Sequence, residues 1–310
     1  MEKPKECFKT SVGGQALMEG IMMRGPEKIC VAVRRPDGTL DMTYEDVKHH
    51  RWQKIPLVRG AAAMIENLVL GYRYLMHSAE VSMPEEAEEE PGRFEKWLGE
   101  HAGPGVQNFF MALAAVCGGL LAIVLFMVLP TAIVGLIDRF LPLGWGKVVL
   151  EGVLKIALFV GYLFLCTRMK EIHRVFEYHG AEHKTIACYE AGEELTVENV
   201  RRHRRFHPRC GTSFMILVLI VSILLFSVLP WSSTGLRVVL KLLLLPVVMG
   251  VSYELIKLAG RYDNLFTRII SAPGLWLQRL TTFEPDDSMI EVAIAAVTPV
   301  LPDHPDEAKW

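Results

Sequence analysis

Long apolar stretches, separated by polar connections, dominate the chain between residues 106 and 258. Four of them carry few charged residues: Val106–Ile137, Val148–Cys166, Thr212–Leu229 and Leu236–Leu258. A helix needs about 20 such residues to cross the hydrocarbon core of a bilayer. A chain of 310 residues cannot bury four helices of this kind in a soluble core. We therefore predict a mainly α, polytopic membrane protein with about four transmembrane helices.

Two of these stretches are irregular. The first is longer than one span, and Pro130 predicts a kink or an extension along the membrane interface. The fourth is interrupted by Lys241 and Glu254.

The N-terminal region has a different pattern. KICVAVRR and TLDMTYED alternate around the turn sequence PDG, which predicts a small cytosolic β-hairpin. The Gly- and Met-rich segment Val12–Pro26 is typical of a tight turn with flexible methionine packing, or of a ligand-binding loop. Pro56–Val81 has a broad apolar face broken by polar residues, which favours an interfacial or docked helix.

The C-terminal region is expected to hold two further helices, with start signals at Ser271–Pro273 and at Asp286–Ser288. The pattern as a whole predicts six segments. They are a cytosolic N-terminal region (1–83), an acidic linker (84–104), transmembrane helices 1 and 2 (105–166), a cytosolic loop (167–211), transmembrane helices 3 and 4 (212–258) and a cytosolic or interfacial C-terminal region (259–310).

Charge predicts the orientation in the membrane. The net charge of −2 indicates no class of partner, but Lys and Arg are unevenly distributed. The connection between the second and third stretches carries nine of them, whereas PWSSTG between the third and fourth carries none. The positive-inside rule places the long central loop and both termini in the cytosol. Six cysteines without a CxxC pair fit that reducing compartment.

The central loop contains a candidate metal motif. His179 and His183 lie four apart and would share one face of a helix. Glu182 directly precedes the second histidine, which gives the order H-x-x-E-H. In sites of this kind the two histidines bind Zn²⁺ and the glutamate activates water. We therefore predict a zinc site with Glu182 as its catalytic base.

A zinc ion needs at least one more protein ligand. Cys210 is favoured because a cytosolic thiolate binds zinc strongly, His207 is the next choice, and Glu254 inside the fourth stretch is the third. Two alternatives remain open at this point: a hydrogen-bonded polar cluster without metal, and histidines that simply face solvent.

A basic cluster precedes the third apolar stretch. Its arginines are Arg201, Arg202, Arg204 and Arg205. At the cytosolic end of a span such residues attract anionic lipid headgroups and fix topology. No aromatic stacking platform accompanies them, so nucleic acid is not expected as a partner.

Four separated segments resemble a known family. They are VGGQALMEGIMMRGP, EYHGAEHKTI, HPRCGTSF and the run from LWLQRLTT to IEVAIAA. Together they resemble signatures of the YqhQ-type family of bacterial multipass membrane proteins, and the resemblance covers nearly the whole chain. It implies the bacterial cytoplasmic membrane. The family is labelled a predicted metal-dependent enzyme, but that label rests on the same histidine motif and adds no independent evidence for catalysis.

Two functional hypotheses follow. The first is a metal-dependent hydrolase with its site at the cytosolic face, acting on a membrane-associated substrate. The second is a non-catalytic membrane factor that binds a membrane protein partner in assembly, translocation or quality control. In that case the His/Cys cluster would only hold the loop in place.

Overall fold

The fold is described from a computed structural model, which describes residues 9–50, 53, 55–83, 104–262 and 264–302. The predicted acidic linker lies outside these ranges, apart from its last residue. The chain forms two compact units. Among the described residues, the first takes 9–83, Leu163–Ser222 and 245–302, and the second takes 104–162 and Ile223–Leu244.

A four-stranded antiparallel sheet opens the first unit. Its strands are β1 (Gly13–Leu17), β2 (Gly20–Arg24), β3 (Lys28–Arg34) and β4 (Leu40–Asp46), and they pair in chain order. The predicted hairpin is confirmed as β3 and β4, whose register runs from Lys28↔Asp46 to Arg34↔Leu40.

The first hairpin was not predicted. The Gly- and Met-rich segment forms β1 and β2 instead of an isolated turn or loop. Glu19 takes a positive φ of 48° in the connection. A Cβ on Gly20 would lie 2.6 Å from the Ala32 carbonyl oxygen on β3, so only glycine fits there. Pairing and close packing with β3 therefore give this segment its strand conformation.

The remaining regular elements of the described chain are helices. In order they are α1 (Val58–Ser82), α2 (Pro104–Ile123), α3 (Leu129–Phe140), α4 (Gly146–Cys166), α5 (Lys170–Glu190), α6 (Val197–Arg202), α7 (Gly211–Phe226), α8 (Thr234–Arg261), α9 (Leu265–Thr281) and α10 (Asp287–Val297). The predicted helix of the N-terminal region is α1.

Three helical segments are long and apolar enough to cross a membrane: Leu113–Phe140, Gly146–Cys166 and Thr234–Arg261. The predicted third span is a shorter apolar helix, α7, whose 16 residues extend about 24 Å. The protein is therefore a mainly helical membrane protein with three to four candidate spans. In the first span, α2 passes into α3 through a π-helical segment, Val124–Val128, just before Pro130. Such a segment relieves the clash of the proline ring with the preceding turn.

The core of the first unit is built around α10. Asp286 caps this helix by accepting a hydrogen bond from the amide of Met289, as the start signal predicts. Fully buried α10 residues such as Ile290 and Ala293 pack with β2, β3 and α5. This packing holds α5, which carries the histidine motif.

The start of α9 was predicted wrongly. The helix begins at Leu265 and not near Ser271, because Asn264 and Thr267 form a reciprocal capping box. Pro273 lies inside the helix.

Candidate metal centre

Three side chains converge beside α5. His179 and His183 lie one turn apart on this helix, and their ring centroids are 4.4 Å apart. Cys210, in the loop just before α7, is placed beside them with its Sγ 3.1 Å from His179 Nε2. One ligand atom from each of the three lies within 4.8 Å of the others. We call this set the His–Cys cluster.

Backbone carbonyls orient both imidazoles. His179 Nδ1 donates to the carbonyl oxygen of Thr281 at 2.7 Å, and His183 Nδ1 donates to that of Arg205 at 2.5 Å. A carbonyl can only accept, so each ring, when neutral, carries its hydrogen on Nδ1 and its lone pair on Nε2, where it can bind an ion. Metal-binding histidines typically show this outer arrangement.

The electrostatics of the cluster favour a thiolate. Burial alone would raise the pKa of the Cys210 thiol, but the imidazoles of His179 and His183 lower it well below its usual value. In turn, burial would lower the pKa of His179, and the neighbouring Cys210 sulfur raises it to about 9. Without an ion, the pair therefore resembles a thiolate beside an imidazolium.

Glu182 lies next to the cluster with one oxygen unsatisfied. Its side chain is only 5% exposed, and its Oε2 has no hydrogen-bond partner in the described part of the chain. The backbone amide of Gly14 on β1 donates to the carboxylate. Burial raises the pKa of this carboxyl, which shifts it toward the range of a general base.

The donor set fits a zinc-type ion. Zn–S bonds of about 2.3 Å and Zn–N bonds of about 2.0–2.1 Å put tetrahedral ligand atoms roughly 3.3–3.7 Å apart. The 3.1 Å between His179 Nε2 and Cys210 Sγ is close to this range, and the other ligand atoms lie within 4.8 Å. A thiolate and two oriented imidazoles are donors that zinc prefers. With three protein ligands, the fourth position stays open, and the unpartnered oxygen of Glu182 lies beside the set.

The structure gives His207 other partners. Its Nε2 lies 3.4 Å from a carboxylate oxygen of Glu190 and 3.1 Å from a guanidinium nitrogen of Arg209. Burial lowers the pKa of His207. Its ring centroid lies 5.8 Å from that of His183, so it adjoins the His–Cys cluster without joining it.

Glu254 is engaged elsewhere in the first unit. Arg59 on α1 binds its carboxylate through both Nε, at 2.7 Å, and NH2. The same carboxylate accepts from the amide of Leu57 at 3.4 Å. Close helix packing supports this contact, since a Cβ on Gly60 would lie 2.9 Å from the Cα of Gly250. Glu254 thus joins α1 to α8.

A close backbone approach explains Gly180, which lies between the two histidines. A Cβ on this glycine would lie 1.9 Å from the carbonyl oxygen of Phe283. The amide of Phe283 also donates to the carbonyl of Phe176 on α5 at 2.9 Å. Because the segment after α9 runs this close to α5, the Thr281 carbonyl can reach His179.

Most of the arginine cluster forms ion pairs with the protein itself. Arg201 binds Asp287, Arg202 binds Glu198, and Arg205 binds Glu284 at 3.2 Å. The Arg204 side chain is exposed. A lipid-facing role for these arginines therefore remains a prediction.

A second group of ligand-type atoms lies nearby in the same unit. Cys188, Glu193 and His203 also meet within 4.8 Å. Burial raises the pKa of the Cys188 thiol to about 11, so this thiol stays protonated. His203 lies 3.3 Å from the largely exposed Glu193. This group therefore lacks the thiolate and the oriented imidazoles of the His–Cys cluster.

Comparison with known proteins places the chain in a family. Residues 55–303 match the family model described as "Protein of unknown function (DUF1385)". The chain is also 35% identical over 303 residues to "Uncharacterized protein YqhQ" of Bacillus subtilis (strain 168), covering 96% of this chain and 94% of that protein. The chain belongs to this family. The predicted YqhQ-type membership is thereby confirmed. No solved structure matches the chain.

Sequence reasoning did not identify the groups that support the cluster. The carbonyls of Thr281 and Arg205 and the amide of Gly14 are backbone atoms, which carry no residue-type signal. The side chain of Gln278 also supports the cluster. It is fully buried and forms hydrogen bonds with both the amide and the carbonyl of His207. The sequence feature that could have identified Gln278 is a glutamine on the buried face of an amphipathic helix.

Proposed function

We propose that the protein is a membrane-bound, metal-dependent hydrolase. His179, His183 and Cys210 would hold a zinc-type ion, and Glu182 would act as the general base. The observation that carries this proposal is the combination of three converging ligand atoms with an unpartnered carboxylate oxygen beside them.

Each residue has a distinct chemical role. When bound, the ion supplies Lewis acidity and makes water a nucleophile at neutral pH. The carbonyls of Thr281 and Arg205 fix the tautomers of His179 and His183, so both Nε2 atoms stay available as ligands. Glu182 takes a proton at Oε2, the oxygen without a partner, while the Gly14 amide holds the carboxylate in place.

The membrane character of the chain supports a membrane-associated substrate. The apolar helix α7 begins at Gly211, the residue directly after Cys210. The excess of Lys and Arg in the central loop favours a site on the cytosolic side of a bacterial cytoplasmic membrane, with both termini in the cytosol. A lipid-linked molecule or a membrane peptide fits this location.

One observation favours the second hypothesis, a non-catalytic factor with a structural metal. His183 is 1% exposed and Cys210 is 5% exposed, so substrate reaches the ion only after the surrounding segments move. A structural site would instead stabilise the loop between α5 and α7 and leave the protein to act through a membrane protein partner.

Glu182→Gln separates the two functions. The amide keeps the size of the side chain but removes the basic oxygen. For a hydrolase, the variant should keep about one ion per chain and an unchanged thermal midpoint. It should nevertheless fail to complement a deletion strain, because loss of general-base catalysis costs about 10²–10⁴-fold in rate. Metal analysis, thermal unfolding and complementation are measured on the same variant.

Glu177→Gln is the matched control, because Glu177 lies on the same helix and, among the described ion pairs, forms only the 3.7 Å contact with His173. It should complement normally. A stable, metal-replete Glu182→Gln protein that also complements fully would contradict the hydrolase and favour the structural site.

A further inference from the structure

A buried group of charges lies within the second unit, among helices that can cross a membrane. Glu151 and Lys155 belong to α4, and Arg237 and Lys241 belong to α8. Each is at most 5% exposed. Lys155 lies nine residues from the start of α4 and Lys241 seven from the start of α8, so they sit about 14 Å and 10 Å into these helices. We call these four residues the cation cluster.

One carboxylate serves all three cations. Lys241 bonds Glu151 Oε1, Lys155 Nζ lies 3.5 Å from that same oxygen, and Arg237 bonds Oε2 at 3.0 Å. The sum of the charges is +3 for the bases and −1 for the acid, or +2. Among the described residues, Glu151 is the carboxylate that pairs with these bases. An apolar bundle does not retain such an excess without a partner.

The neutral contacts of the cluster do not remove this excess. The hydroxyl of Thr131 lies 2.6 Å from Lys241 and 2.9 Å from Glu151. The Phe226 ring lies 5.0 Å from the Lys155 ammonium, and Arg237 stacks over Trp231 at 3.9 Å. Aromatic rings and hydroxyl oxygens attract these cations, but they carry no net negative charge and so do not neutralise the excess.

The three bases differ in how completely they are bonded. Arg237 also donates to the carbonyls of Phe226 and Leu229, at 3.1 and 2.6 Å, and so holds the end of α7. Its Nε nevertheless has no partner in the described part of the chain. Lys155 has only the long contact to Glu151 among the described ion pairs. Donor capacity is therefore left on Lys155 and on Arg237.

We propose that the cation cluster binds a small free anion, a halide or an inorganic oxyanion. The excess of positive charge supplies the attraction, and Lys155 and Arg237 Nε supply unused donors. Because every member is at most 5% exposed, the anion must be small, and the headgroup of a lipid with its attached chains is disfavoured. This binding site is independent of the His–Cys cluster and of the proposed hydrolase.

The test uses the full chain in nanodiscs of phosphatidylcholine, a lipid without net charge. The thermal midpoint is measured while sodium gluconate is replaced by chloride or phosphate at constant ionic strength. At about a 100-fold excess over Kd, binding should raise the Tm of this 310-residue chain by roughly 4 °C and saturate. Glu151→Gln raises the excess charge from +2 to +3. The Tm of this variant should therefore reach half of its total increase at a lower anion concentration than the Tm of the wild type.

Three lysine variants identify the site. Lys155→Met should abolish the anion-dependent rise, Lys155→Arg should retain it, and Lys147→Met should leave it unchanged. Lys147 is the matched control because it lies in the same helix but pairs with Asp138 at 2.6 Å. These readouts compare Tm with and without the anion, so a change in the basal stability of a variant does not affect them.

Three outcomes would overturn the proposal. They are a wild-type Tm that no anion moves, an equal rise in Lys155→Met, and a rise that appears only when anionic phosphatidylglycerol replaces the neutral lipid. The first would indicate that a neutral lysine removes the excess charge. The last would indicate a lipid headgroup as the ligand.

Discussion

The His–Cys cluster and the cation cluster are both buried and polar, but they are stabilised in different ways. Backbone carbonyls accept the Nδ1 hydrogens of His179 and His183, so these rings are oriented without any added charge. In the cation cluster, the main partner is another charged side chain, Glu151, which is shared by three bases.

The comparison shows what each kind of partner provides. A backbone carbonyl fixes the tautomer of a histidine ring and leaves the opposite ring nitrogen available to bind an ion. The result is a set of oriented electron-pair donors. A shared carboxylate holds several basic side chains together and leaves a net positive charge. The result is an attraction for anions whose direction is less well defined. The ligands proposed for the two clusters differ accordingly, a zinc-type cation in one unit and a small anion in the other.

The largest effect is expected in the cation cluster, from Arg237→Met. This change removes the pairing with Glu151 and the donor to the Leu229 carbonyl, while in the described part of the chain the Phe226 carbonyl keeps only the Leu229 amide at 3.2 Å. Breaking a buried pair costs about 3–5 kcal/mol. Lys155→Met should be neutral or stabilising, because it removes a buried charge with one long contact. Unfolding in sodium gluconate, without chloride or phosphate, measures both, and equal losses would show that the two bases are bonded alike.

Ligand variants of the His–Cys cluster should come next. Removing an outer partner of a metal ligand typically costs 10–100-fold in affinity, so His183→Ala and Cys210→Ser should each cost more than about 100-fold. His207→Gln should retain the ion, because His207 is paired with Glu190 and Arg209. Competition with a chelator measures these affinities. If His207→Gln loses the ion as fully as the other two, His207 is itself a ligand.

Gly180→Ala tests the backbone support of His179. Alanine has a higher helix propensity than glycine, but its methyl group would lie 1.9 Å from the carbonyl oxygen of Phe283. We expect a loss of about 3 kcal/mol in the free energy of unfolding, at the upper end of the range for overpacking. Gly161→Ala on α4 is the control, since nothing lies within 4 Å of its added Cβ and helix propensity gains up to about 1 kcal/mol. A neutral Gly180→Ala would mean that the segment after α9 does not run against α5.

The fold was predictable where local pattern determines it. Apolar stretches predict spans because each helix satisfies its own backbone in lipid. PDG between alternating strands predicts the β3–β4 hairpin for a similar local reason. By contrast, the β1–β2 hairpin depends on pairing with β3, which residue types in Val12–Pro26 do not encode.

The candidate sites divide along the same line. His179, Glu182 and His183 were identifiable because helical spacing is local. The position of Cys210 beside them depends on how the loop before α7 folds back, so spacing could not decide between Cys210 and His207. The cation cluster escaped prediction because its members are distributed over two helices that are far apart in sequence.

The smallest effect is expected from a change at Gln278, which tests specifically how the loop that carries Cys210 is held. Its Oε1 accepts from the His207 amide at 2.8 Å, and its Nε2 donates to the His207 carbonyl at 2.7 Å and to Ser213 Oγ at 3.0 Å. These bonds fix the loop on both sides of Cys210. Gln278→Met keeps the volume of the side chain but leaves the amide and carbonyl of His207 buried without partners, at a cost of about 2 kcal/mol.

The same variant should weaken metal binding by about tenfold, because it acts on the proposed ligand Cys210 only through the loop. Chelator competition measures the affinity, and denaturant unfolding measures the stability. Arg279→Met, one residue further on and exposed, is the control and should change neither. A loss of stability with unchanged affinity would show that the loop positions Cys210 without the help of Gln278. The contrast with the cation cluster would then be weaker, because backbone support would end at the two carbonyls that face the histidines.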